Sequence, residues 1–322
     1  MKILHVAETV KGGVASYLQA TLPAQSARWG ADQVALLGPS DHADHLPRGD
    51  WRLLTYARDG RNLGSLARLA VAFSKHVGEL APEIVFLHCS FAGLVGRLLN
   101  LGRARVVYCP HGWAFNMQIS TAARTAYGWL ECWLARLATT AVVCISQHEL
   151  DTAREWGLPA GRLHLVRHGL EDVELAGLDS KPAEGPLEIL FVGRFDRQKG
   201  VDILAQALAG LSPQSYRLRL VGEQVRGDSE VCLPAHCERL GWKEPQELTG
   251  LYRQADVLVM PSRWEGFGLV ALEAMRCETA VFAARQGGLV ELVEDGVTGA
   301  LFDTADQLGE LLAKTERIKL HE

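Results

Sequence analysis

Short apolar runs rich in β-branched residues recur along the chain, each closing near Gly, Ser, Pro or His. They cover 3–7, 33–37, 84–88, 105–109, 141–145 and 163–166 in the first half, and 187–192, 217–221, 256–260, 279–283 and 300–302 in the second. Such runs are too short for helices, and their nearly continuous apolar character predicts strands buried on both faces of a parallel sheet. Between them lie segments with helical apolar spacing: 15–30, 62–80, 92–99, 121–138, 148–156, 200–210, 245–254, 268–276, 289–294 and 306–314. Strand and helix alternate twice over, which predicts an α/β chain of two doubly wound, Rossmann-like domains. Residues 174–186 (ELAGLDSKPAEGP) are rich in Gly, Pro and charge, without an apolar period, and read as a linker. The expected domains are therefore 1–178 and 179–322.

Composition supports two full cores. The chain has 322 residues, 48% apolar and 22% charged, a globular balance. A formal net charge of −5 gives no reason to expect a nucleic-acid partner. The balance is uneven, however. Residues 1–178 hold 17 Lys and Arg against 15 Asp and Glu, whereas residues 179–322 hold 16 against 23. Six of the eight tryptophans (Trp29, Trp51, Trp113, Trp129, Trp133, Trp156) fall in the first half. Two readings stay open: ordinary variation, or a first half that meets an amphipathic or anionic surface such as a lipid-linked substrate at a membrane.

The seven cysteines (Cys89, Cys109, Cys132, Cys144, Cys232, Cys237, Cys277) are odd in number and form no C-x-x-C. They read as free thiols of a reducing compartment. Cys232, His236 and Cys237 without a second cluster make a poor metal site, so no metal is expected. The start, MKILHVAE, lacks the long apolar stretch of a signal peptide. No apolar run approaches a membrane span, so the expected address is cytoplasmic, soluble or peripheral.

Ligands of open α/β sheets bind beyond the carboxyl ends of the strands, and the chemistry of this chain sits there. In the first such segment, PSRWEGFGLVALEA (261–274), a strand end leads into a helix near Gly268. Gly266 and Gly268 permit close backbone approach, and free N–H groups at a helix start can face an anion. Glu265 and Glu273 are acceptors suited to vicinal hydroxyls of a sugar and a ribose. The plain alternative is a turn followed by solvated glutamates. The second segment, GRFDRQKG (193–200), places Arg194 and Lys199 at a strand end, where guanidinium and ammonium can neutralise a diphosphate; a solvated basic turn is its alternative. Gly12 and Gly13 open the helix after the first strand, in neither the dinucleotide nor the P-loop pattern, and a plain turn fits them equally. His111, in PHGW after 105–109, can bond a hydroxyl or take a proton; by itself it reads as a turn residue.

The combination resembles the retaining nucleotide-sugar glycosyltransferases of family 4 (glycosyl transferases group 1), which have the GT-B fold. The resemblance rests on Glu265-x7-Glu273, on VGR-x4-KG at 192–200, on Gly12-Gly13, on GGLVE at 287–291 and on DG-x2-G at 295–299. It covers most of the chain, more specifically in the second half than in the first. It implies two domains facing an interdomain cleft, with an acceptor-side first domain and a donor-binding second domain. It further implies that Arg194 and Lys199 meet the donor diphosphate, that Glu273 holds the ribose, and that Glu265 contacts the transferred sugar. The backbone near Gly266, Phe267, Gly268 and Leu269 would approach the donor, His111 would lie near the sugar, and the Gly12-Gly13 loop would cover the diphosphate. Trp242 lies where relatives contact the base. No cofactor and no divalent metal are implied; the donor is a UDP- or GDP-sugar.

Two departures from the family pattern stand out. His168-Gly169 replaces the usual Asn-Gly, which puts a side-chain role there in doubt. Relatives usually run some tens of residues further, with a terminal helix crossing back onto the first domain, whereas this sequence stops at Glu322. The expected activity is retaining sugar transfer to a glycan or lipid-linked oligosaccharide in bacterial exopolysaccharide or lipopolysaccharide synthesis. The acceptor would be met through a first domain peripheral to the inner face of the cytoplasmic membrane. Segment 121–138, with Tyr127, Trp129, Trp133 and Leu137 near Arg124 and Arg136, reads either as a core helix or as an apolar shelf for that acceptor. A nucleotide-sugar epimerase of the same architecture, or a silent nucleotide-sugar-binding partner subunit, remains as an alternative.

Overall fold

The computed structural model describes residues 1–137, 140–179, 185–224 and 233–315. Part of the expected linker and Cys232, with the metal reading built on it, lie outside the described residues. The chain divides into two compact units, Met1–Gly169 and Leu170–Glu322. The division falls nine residues before the expected one. The physical reason is packing: Val173 and Leu175 already rest on the apolar core of the second unit.

The first unit carries β1 (Ile3–Ala7), α1 (Gly13–Trp29), β2 (Val34–Pro39), β3 (Arg52–Tyr56), α2 (Leu63–Leu80), β4 (Ile84–His88), α3 (Cys89–Leu98), β5 (Arg105–Cys109), α4 (Thr121–Leu137), β6 (Thr140–Cys144), α5 (Gln147–Glu155) and β7 (Leu163–Leu165). Its strands form one sheet in the order β3-β2-β1-β4-β5-β6-β7, and every pairing is parallel. The second unit carries β8 (Leu187–Val192), α6 (Val201–Leu208), β9 (Tyr216–Val221), β10 (Glu238–Gly241), α7 (Pro245–Gln254), β11 (Val257–Met260), α8 (Leu269–Met275), β12 (Ala280–Ala284), α9 (Leu289–Leu292), β13 (Gly299–Phe302) and α10 (Ala305–Lys314). Its sheet runs β10-β9-β8-β11-β12-β13, again all parallel.

Both sheets are apolar on both faces, as the unbroken apolar runs require. Side chains alternate across a strand, and the core divides accordingly. Ile189, Phe191, Leu218, Leu220, Val257 and Val259 join one cluster, while Leu190, Val221, Leu258 and Met260 join the cluster on the opposite face. In the first unit Leu4, Val6 and Leu37 lie on one side and Ala7, Val34 and Leu36 on the other.

Two strands have no counterpart in the sequence reading, β3 and β10. Both are edge strands and both are largely exposed. An edge strand needs apolar side chains on fewer of its positions, so RLLTY and ERLG lack the continuous run that marks the interior strands.

The strand order reverses direction between β1 and β4 in the first sheet and between β8 and β11 in the second. A topological switch point of this kind opens a crevice beyond the strand ends, so the loops after these four strands are where each unit is built to receive a ligand.

Candidate functional site

In the second unit the loops after β8 and β11 are stitched to each other. Arg263 N–H donates to the Gln198 carbonyl at 2.8 Å, and Gln198 Nε2 donates to the Trp264 carbonyl at 3.2 Å. Arg263 reaches Asp202 through both guanidinium nitrogens, at 2.8 and 2.6 Å. The hydrogen bonds to Arg263 pull the Asp202 carboxyl below its ordinary range. Gly200 caps α6 at φ 68°, and a Cβ there would strike the Pro261 carbonyl oxygen. Here glycine is required twice over, for the left-handed turn and for close approach of the two loops.

This stitching brings the expected residues together. Lys199 Nζ donates to Glu265 Oε2 at 2.6 Å, and Ser262 Oγ lies 3.3 Å from the same oxygen. Both partners are half-buried. Arg194 stands at the same strand end, its guanidinium 2.9 Å from Asp196 and 2.8 Å from Gln198. A third loop, after β12, closes the far side. Gly288 N–H faces the Glu265 carbonyl, and a Cβ on Gly287, which has φ 55°, would collide with that carbonyl. Gly266 is part of this contact, since its carbonyl lies against Gly288. Gly268 takes the N-cap of α8 at φ 99° with no side-chain cap. The Phe267 side chain is buried in the unit, so only its backbone is available to a ligand, and Leu269 is likewise buried.

Glu273 lies on α8. Tyr252 Oη donates to its Oε2 at 2.8 Å. Burial raises the Glu273 carboxyl above its usual range, while the Tyr252 hydrogen bond, Arg276 and Lys199 work against the shift. The site therefore offers a cation already paired to one carboxylate and a second carboxylate held by a phenol. Trp242 follows β10 and is exposed, two strands from the loop after β8.

In the first unit Gly12 caps α1 at φ 57° and ψ −135°, a conformation open to glycine, and Gly13 is the first helical residue. His111 follows β5 with φ 52°, and Cys89 follows β4 with φ 70°. Non-glycine residues rarely adopt this region, and such strain collects at functional sites. His111 belongs to a cluster with His5, His88, His168 and Tyr17. The ring of Tyr17 lies 5.0 Å from His111 and 4.8 Å from His168, and His168 stacks on His111 at 5.6 Å. His168, the departure from Asn-Gly, thus packs a ring where the family pattern has an amide.

Sequence reading missed His5, His88, Tyr252, Gln198 and Asp202. For the two histidines a signal existed: a polar residue inside a strand otherwise buried on both faces needs a partner. The others are recognisable only through partners distant in sequence. Among the described residues no cluster of His, Cys, Asp and Glu is arranged to hold a metal ion.

On α4 the structure separates the two readings of its face. Cys132, Leu134 and Ala135 are buried, and Glu131 is paired with Arg97. Trp129, Trp133 and Leu137 are 73%, 50% and 52% exposed. No helix among the described residues is long and apolar enough to cross a membrane.

Comparison with known proteins agrees with this architecture. Residues 179–319 match the family model for glycosyl transferases group 1, and residues 12–169 match a glycosyl transferase 4-like domain. The chain is 30% identical over 328 residues to an uncharacterized 41.2 kDa protein in the cps region of Klebsiella pneumoniae, covering 97% of this chain and 89% of that one. It is 29% identical over 338 residues to a D-inositol 3-phosphate glycosyltransferase of Corynebacterium urealyticum, covering 94% and 78%. Among solved structures, HepE of Anabaena in complex with UDP-glucose superposes with a TM-score of 0.78 at 22% identity, covering 100% of this chain and 91% of that one. WaaG, a glycosyltransferase involved in lipopolysaccharide biosynthesis, gives 0.71 at 16%, covering 99% and 90%. The chain belongs to the glycosyl transferases group 1 family and has the GT-B fold.

Proposed function

We propose that this glycosyltransferase moves a sugar from a nucleoside-diphosphate sugar to a glycan or lipid-linked oligosaccharide, with retention at the anomeric carbon and without a metal ion. The observation that carries the reading is the Lys199–Glu265 pair at the switch point of the second sheet, beside the Tyr252-held Glu273. The second unit is then the donor-binding half and the first unit the acceptor half. Structural neighbours in complex with UDP and with UDP-glucose support a UDP-sugar as donor. The cps-region relative and WaaG support a place in surface polysaccharide or lipopolysaccharide assembly.

In this reading Arg194 and Lys199 bind the diphosphate, Glu265 accepts from hydroxyls of the transferred sugar, and Glu273 accepts from the ribose. Gly12, Gly13 and the backbone from Gly266 to Leu269 approach the donor, Trp242 stacks on the base and His111 faces the sugar. The anomeric carbon–oxygen bond to phosphate breaks as charge collects on the leaving diphosphate. Arg194 and Lys199 stabilise that charge in the transition state. The acceptor oxygen bonds the same carbon from the same face, and its proton passes to the departing phosphate oxygen. Neither carboxylate is assigned as a nucleophile, because one is committed to the ribose rather than flanking the scissile bond.

Lys199→Ala and Glu265→Ala should each lower turnover at least tenfold, about 1.4 kcal/mol of barrier or more. Near-normal transfer by both variants rejects the assignment. A panel of UDP- and GDP-sugars, read by thermal shift and by acceptor-dependent turnover, identifies the donor. Release of a changed nucleotide sugar without acceptor would make the protein an epimerase instead. The exposed Trp129, Trp133 and Leu137 face would rest on the inner face of the cytoplasmic membrane. Co-sedimentation with anionic vesicles at low salt should be strong for the native protein and weak for Trp129→Ser/Trp133→Ser; absence of binding by the native protein rejects the membrane contact.

A further inference from the structure

Three histidines of the first unit form a chain of contacts that ends at His111. His5 lies in β1, His88 closes β4 and His111 follows β5. These strands are neighbours, β1 paired with β4 and β4 with β5, so the rings meet across the sheet. His5 Nδ1 is 2.9 Å from His88 Nε2, and His88 Nδ1 is 2.9 Å from His111 Nε2. At the far end, Gln25 Oε1 on α1 is 2.7 Å from His5 Nε2.

A neutral imidazole has one donating and one accepting nitrogen. Both contacts between the rings are nitrogen to nitrogen, so each holds one hydrogen, and one end of the chain fixes all of them. The Gln25 carbonyl oxygen only accepts, so His5 carries its hydrogen on Nε2 and accepts at Nδ1. His88 must then donate from Nε2 and accept at Nδ1, and His111 must donate from Nε2. The lone pair of His111 Nδ1 is left over. Among the described residues that nitrogen has no protein partner. Burial keeps the rings neutral: His5 and His88 are fully enclosed, and desolvation lowers His5 to about 4 and His111 to about 3. The other groups packed on the chain, Tyr17, His168 and the Cys109 thiol, bring no fixed charge.

We propose that Gln25, His5 and His88 are positioning residues that hold His111 as its neutral Nε2–H tautomer, so that Nδ1 accepts a hydrogen bond from a hydroxyl of the bound sugar. The proposal rests on the assignment of His111 to the sugar. It adds that His111 reads the sugar as an acceptor, selecting a hydroxyl over a group that cannot donate, and that a glutamine three side chains away decides this.

Long-range proton–nitrogen correlation spectra of the full chain labelled at histidine nitrogens test the relay without substrate. At pH 7 His5, His88 and His111, assigned by single His→Gln variants, should all show Nε2–H and a bare Nδ1. A hydrogen on Nδ1 of His111, as a reversed Gln25 amide would impose, overturns the proposal. Gln25→Leu removes the fixed acceptor. It should give mixed tautomers at His111 and raise KM for the nucleotide sugar at least fivefold, with kcat within about twofold and an unchanged circular dichroism spectrum. The expected tautomers together with an unaltered KM in both Gln25→Leu and His111→Ala would leave the relay standing but overturn hydroxyl recognition, and with it the assignment of His111 to the sugar.

Discussion

Glu273 shows how a single residue carries opposing demands. Burial on α8 pushes its carboxyl up, and the Tyr252 hydroxyl pulls it back toward the charged form. A charged carboxylate is the better acceptor for ribose hydroxyls, and a hydrogen bond to a charged group is worth about 1.5–3 kcal/mol. Tyr252→Phe removes the donor, so the Glu273 pKa rises further and more of it is protonated as pH falls. Donor KM for Tyr252→Phe should therefore exceed the native value at least threefold at pH 5.5, and the gap should narrow toward pH 8. Parallel KM profiles for the two proteins would remove Glu273 from the ribose. In the sequence Glu273 was legible as the second acid of Glu265-x7-Glu273. Tyr252 was not, because nothing local couples position 252 to 273; α7 and α8 have to pack first.

At the scale of elements, α4 has two unlike faces, one buried and one exposed. Its inner face holds Glu131, which accepts from Arg97 at 2.7 Å and from Tyr108 at 3.0 Å, with the guanidinium 4.0 Å from the Tyr108 ring centroid. All three side chains are buried. Removing one partner of a buried pair leaves an uncompensated charge and costs about 3–5 kcal/mol. Glu131→Ala should lose about that much stability in urea denaturation. A loss below about 1 kcal/mol would mean that water reaches the vacated site. The apolar spacing of the segment correctly predicts the helix, yet it cannot say which residues face inward. Trp129 and Trp133 look like core by composition, and Glu131 looks like surface. The structure places them the other way, because Arg97 arrives from α3 to neutralise the acid.

At the scale of the whole molecule, the histidine cluster links stability of the first unit to pH. Unfolded histidines take up a proton near pH 6.5. In the folded protein His5 and His168 do so at about 4 and His111 at about 3, and His88 lies well below its ordinary value, all mainly through desolvation. Between pH 6.5 and 4 the unfolded state therefore binds more protons than the folded state, and stability falls as pH falls. Each histidine kept neutral contributes up to about 1.4 kcal/mol per pH unit in that window. The urea midpoint should drop steeply from pH 7 to pH 5 and be flat from pH 7 to pH 8. A midpoint indifferent to pH between 7 and 5 would mean that the rings are charged in the folded state.

Local pattern determined the class of this protein. Unbroken apolar runs can be satisfied only by sheets buried on both faces, and the residues that follow those runs fall at strand ends whatever the strand order. That is why the two Rossmann-like units, and the placing of Lys199 and Glu265 just beyond strand ends, were readable from sequence, whereas the GT-B resemblance came from motifs such as Glu265-x7-Glu273. Edge strands β3 and β10 were not, since exposure relaxes the pattern that betrays an interior strand. Tertiary structure alone decided partnership: Lys199 with Glu265, Tyr252 with Glu273, and His5 with His88 and His111. A hydrogen bond requires two groups within about 3 Å, and these groups are 21 to 83 residues apart in the chain, so only the strand order and the packing of helices on the sheets bring them together.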